Sequence, residues 1–99
     1  MLHMLVNTHS PDHCGFLTND EGAALRRGFE KFGELAKEKG ATVQGTWVNT
    51  ASHTIFVLID APSAHAVDEI IRSAELTTRT ESRVYTLDEM QTLLKEIAA

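Results

Sequence analysis

The side chains in this sequence best suited to transition-metal or nucleophilic chemistry are its one cysteine, Cys14, and the histidines at positions 9, 13 and 53. Neutral imidazole and thiolate are good ligands for zinc, copper or ferrous iron, and two histidines with one cysteine leave a fourth position for water or substrate. His9, Cys14 and His53 make that set, with His13 as a candidate fourth ligand. The same residues suit metal-free chemistry, in which a histidine stabilises the Cys14 thiolate as a nucleophile. The plain alternative is a set of histidines ending their strands at the surface, beside a small buried hydrophobic cysteine. Spacing does not choose among these readings, because there is no paired Cys-x-x-Cys and Pro11 interrupts a helical His9 and His13 pair. Asp12 and Glu21 are candidates for the carboxylate of a two-histidine iron site. A capping role claims Glu21, and Asp12 stays open.

Only the fold can bring residues 9, 14 and 53 together, so the elements that carry them decide the case. Residues 2–8 alternate as a first strand, and residues 9–17, with Ser, Pro, Asp, Cys and Gly, read as a loop. Thr18 and Glu21 form a capping-box pattern ahead of Leu25, Phe29, Phe32 and Ala36 at helical spacing, and Gly40 supplies the stop. Residues 42–49 and 53–60 read as a hairpin around Thr50, Ala51 and Ser52. Pro62 and Ser63 open a second helix with Val67, Ile70, Ile71 and Ala74 on its buried stripe, ending near Leu76. Residues 77–85 are a fourth strand placed at an edge by Arg79, Glu81 and Arg83. Thr86 and Glu89 then form a capping box for a short third helix bearing Leu87, Met90, Leu93, Leu94 and Ile97.

The order βαββαβ over 99 residues predicts one α+β domain of the ferredoxin-like type, with strands ordered four, one, three, two. Strands one and three are then antiparallel neighbours, which sets His9 against His53 at one end of the sheet. Cys14 and His13 lie on the loop leaving that end, while His3 and His65 belong to the opposite one. The third strand is apolar on both parities, Ile55, Val57 and Ile59 against Phe56 and Leu58, so its second face needs cover as well. A homodimer stacked sheet to sheet is the simplest cover.

Composition narrows the function classes. With 42% hydrophobic and 23% charged residues the chain is ordinarily globular, and a formal charge of −5 opposes binding to nucleic-acid phosphates. No apolar run is long enough to span a bilayer and no signal peptide is apparent, which with the lone cysteine predicts a cytoplasmic protein that does not enter the membrane.

The motif His9, Ser10, Pro11, Asp12, His13, Cys14, the Gly45, Thr46, Trp47, Val48 strand and the His53, Thr54 strand start resemble a small, functionally unassigned family of the dimeric α+β barrel superfamily. The resemblance covers nearly the whole chain in element order. It implies a barrel dimer and not a reaction, since relatives in that superfamily include cofactor-free monooxygenases, haem-degrading enzymes, lactone isomerases and ligand-sensing domains. Related folds commonly bind small apolar ligands between sheet and helices, which makes Trp47, Phe56 and Tyr85 candidate pocket residues. Three functions follow as expectations. The first is a homodimer holding a transition metal, or a metal-bound small molecule, at the histidine and cysteine cluster. The second is a cofactor-free enzyme with a histidine general base. The third is a non-catalytic module that binds a small ligand.

Overall fold

Side-chain alternation along the first strand already sorts the molecule into two sides. His3, Leu5 and Asn7 are fully buried, whereas Met4 and Val6 are half-buried and Leu2 and Thr8 exposed. The computed structural model describes residues 1–98 and runs β1 (Leu2–His9), a single 3-10 turn (Pro11–His13), α1 (Asp20–Glu38), β2 (Thr42–Asn49), β3 (Thr54–Asp60), α2 (Ala64–Ser73), β4 (Thr80–Leu87) and α3 (Met90–Ala98). The four strands form one antiparallel sheet in the order β2-β3-β1-β4, the expected ferredoxin-like arrangement. In that register Leu5 lies beside Val57 and Val84, and His3 beside Ile59.

The helices form where apolar residues recur on one face. α1 buries Leu25, Phe32 and Ala36, α2 buries Val67, Ile70 and Ile71, and both stripes close over Leu5, Val57 and Ile59 of the sheet. Each such side chain larger than alanine contributes roughly 1.5–3 kcal/mol by leaving water, which makes this layer the main source of stability. α1 stops at Gly40, whose φ of +72° is the left-handed conformation that costs glycine least, and the Ala41 N–H returns to the Ala36 carbonyl.

The caps differ from the expected ones at two of three helices. The Asn19 side chain, not Thr18, accepts from the Gly22 N–H at 3.0 Å, which frees Glu21 for other partners. Ser63 caps α2 as expected, through the Ala66 N–H. At α3 the Glu89 carboxylate takes the Thr92 N–H and hydroxyl, while Thr86 lies within β4 and bonds to His3. The second sheet face carries Met4 opposite Leu58 and Tyr85, and Val6 and Trp47 opposite Phe56. No helix of the described residues covers that face, and every described residue of α3 is exposed, Met90, Leu93, Leu94 and Ile97 included. Among the described residues no helix is long and apolar enough to cross a membrane.

Candidate metal centre

His9 ends β1 and His53 precedes β3, and antiparallel pairing joins them directly: the His9 N–H donates to the His53 carbonyl at 3.2 Å. Their rings meet edge to face with centroids 5.4 Å apart. The hairpin is one residue longer than the sequence suggested, so His53 belongs to the turn. It takes a φ of +51°, a conformation that residues other than glycine adopt at a cost.

Cys14 reaches the pair from the loop. Its N–H closes the 3-10 turn on the Pro11 carbonyl, and its own carbonyl accepts from the Leu17 N–H at 3.0 Å. Two residues of α1 hold this loop down. Gly22 lets the loop backbone press on the helix, since a Cβ there would stand 2.1 Å from the Leu17 carbonyl oxygen and 2.8 Å from that of Cys14. Arg26 donates through one guanidinium nitrogen to the carbonyls of Gly15 and Leu17. Sequence reasoning missed both residues. An isolated glycine inside a helical pattern was the available signal, because such a residue commonly marks close packing.

One ligating atom each from His9, Cys14 and His53 lies within 4.8 Å of the others, and the thiol is buried. Ligand pairs around a tetrahedral zinc ion stand about 3.5 Å apart, so roughly 1 Å of side-chain closure brings the set to bonding geometry. The Nδ1 atoms of both histidines are sealed from solvent with no hydrogen-bond partner. Burial, reinforced by the neighbouring His53 and His13 imidazoles, pushes the His9 pKa below its ordinary value. Its ring is thereby held in the neutral form that binds metals.

His13 is not part of this group. Its Nδ1 lies 3.0 Å from the Ser10 hydroxyl and its Nε2 3.4 Å from Glu21, so both ring nitrogens are engaged elsewhere. Glu21 also accepts from Arg79 at 2.8 Å, and Asp12 is exposed. His3 sits toward the other end of β1, bonded to Thr86, and His65 pairs with Glu69 on α2.

A cavity of about 290 Å³ opens beside the three residues, walled by Phe16, Leu25, Phe29, Val48 and Ile55. Only Trp47 of the three expected pocket residues borders it, and strand pairing sets Trp47 opposite Phe56 on the other sheet face. Tyr85 is carried to that face as well, because its neighbour Val84 packs inward next to Leu5. The cavity lies between the sheet and α1, and apart from Trp47 its walls are aliphatic residues, Phe29 of α1 and Phe16 of the loop before it.

These observations define a ferredoxin-like α+β protein with a half-buried histidine and cysteine cluster at one end of its sheet. Residues 1–92 match the family described as Domain of unknown function (DUF3303), and the chain belongs to that family, in keeping with the expected functionally unassigned group. No curated protein matches it. Among solved structures, SCO4226 from Streptomyces coelicolor A3(2) is similar with a TM-score of 0.56 and 18% identity, over 88% of this chain and 96% of that one. The structural-genomics protein YJCS gives 0.48 and 12%, over 89% and 100% of the two chains. The likeness to SCO4226 shows the fold.

Proposed function

We propose that this chain is a small cytoplasmic homodimer that binds a transition-metal ion, zinc, iron or copper, through His9, Cys14 and His53. The observation that carries the reading is the convergence of one ligating atom each from His9, Cys14 and His53 within 4.8 Å, with the thiol buried and each imidazole keeping a buried, unpartnered Nδ1. Each unsatisfied buried polar atom costs about 1–3 kcal/mol, a penalty that coordination through Nδ1 would remove. A reducing compartment suits a centre that needs Cys14 as a thiolate. The dimer reading is supported by the half-exposed apolar sheet face of Met4, Val6, Phe56, Leu58, Trp47 and Tyr85.

Elemental analysis of protein purified without an affinity tag tests the metal. Stoichiometric metal is expected, with affinity reduced roughly 10- to 100-fold or more in His9→Ala and His53→Ala. Substoichiometric metal that neither change affects would overturn the reading.

A second reading rests on the neutral His9 imidazole lining an apolar cavity. There His9 serves as general base on a small organic substrate, and turnover that persists in fully metal-stripped protein would favour it.

A further inference from the structure

The cavity beside the centre has its own chemistry. It is roughly twice the ~150 Å³ that holds a benzene molecule in an engineered protein cavity, so it admits one aromatic ring with a short arm. Leu25, Phe29, Val48 and Ile55 give it apolar walls, and no carboxylate lines it. Arg26 also borders it, but the guanidinium is occupied by the loop carbonyls of Gly15 and Leu17. Besides the neutral hydroxyl residues Thr46 and Thr50, the polar groups that face the space are His9, Cys14 and His53, the ones able to ligate a metal. A divalent ion held by two neutral imidazoles and one thiolate keeps a single net positive charge and an open fourth position. In apolar surroundings that charge favours an anionic ligand over water.

We propose that the cavity binds a small apolar molecule, of the size of one aromatic ring, carrying one anionic donor on a short arm. The donor, a thiolate or a carboxylate, takes the fourth position on the metal and displaces water. The ring occupies the space among Leu25, Phe29 and Ile55. This inference rests on the metal reading, and its test separates the two.

Protein loaded with cobalt(II) is titrated with phenylmethanethiol and with phenylacetate, and in parallel with ethanethiol and acetate. The visible cobalt bands report coordination, and calorimetry gives the affinities. The aromatic member of one pair is expected to bind on the order of tenfold to a hundredfold more tightly than its short analogue. A new sulfur-to-cobalt charge-transfer band identifies thiolate as the preferred donor, and its absence with tight phenylacetate binding identifies carboxylate. Val48→Trp, which fills the cavity, should abolish the aromatic preference, the ligand-free cobalt spectrum reporting whether the centre is intact. Phe16→Ala, at an exposed rim position, should weaken aromatic binding in the same direction without challenging the fold. Equal affinities for aromatic and short ligands in a protein that takes up cobalt would overturn this inference and leave the metal reading standing. Failure to bind cobalt would overturn both.

Discussion

At the scale of single residues, His53 is where conformation and chemistry oppose each other. Its backbone φ of +51° costs an L residue about 1–2 kcal/mol, and its Nδ1 is buried without a partner. Both features are local penalties in the metal-free chain, the pattern expected of a position kept for its side chain and not for stability. His53→Gly should therefore weaken metal binding as much as His53→Ala does, yet leave metal-free protein more stable than the alanine variant by about 1 kcal/mol. Urea denaturation of the two variants checks this, and identical midpoints would show that the turn carries no such strain. The sequence placed His53 correctly by topology, because adjacency of strands one and three follows from element order. It could not place His13, whose two ring nitrogens engage Ser10 and Glu21 through side-chain geometry that no spacing rule encodes.

At the scale of elements, the centre depends on how α1 grips the loop that carries Cys14. Gly22 and Arg26 do this from the first two turns of the helix, one by allowing backbone contact and the other by donating to loop carbonyls. Gly22→Ala meets fixed backbone atoms, not a flexible side chain, so the loop must move. A cost of roughly 1–3 kcal/mol is expected in spite of alanine's better helix propensity, together with weaker metal binding because Cys14 shifts. Thermal unfolding and metal titration on the same variant read both effects, and a stabilised variant with unchanged affinity would refute the grip. Element order, strand order and the helix stripes were legible, since each follows from apolar period and short connections. The pocket aromatics were not. A register irregularity between Val43 and Gly45 resets which β2 residues face the helices, and it leaves Val48 inward and Trp47 outward. Alternation counted from the strand start does not reveal such a shift.

At the scale of the whole molecule, the two faces of the sheet have different occupants. One is closed by α1 and α2, while the other presents Met4, Val6, Phe56 and Leu58 half-buried, with Trp47 about half exposed at 55% and Tyr85 at 49%. A contiguous apolar patch of this kind is unusual on a monomer. Met90, Leu93, Leu94 and Ile97 add a second uncovered stripe on α3. A second copy meeting this face would bury both β3 side chains that alternation turns away from the core, Phe56 and Leu58. The double change Phe56→Asp and Leu58→Asp places two carboxylates in that contact, where desolvation of unpaired charge is costly. Sedimentation should then show a dimer for the parent chain and a monomer for the variant, with dissociation promoted at least about a hundredfold. The metal set lies within one chain at the sheet end, so the monomeric variant should still bind its ion. A parent chain that stays monomeric at high micromolar concentration would refute the dimer and leave the centre untouched. Loss of metal in the monomer would instead tie the centre's closure to the partner.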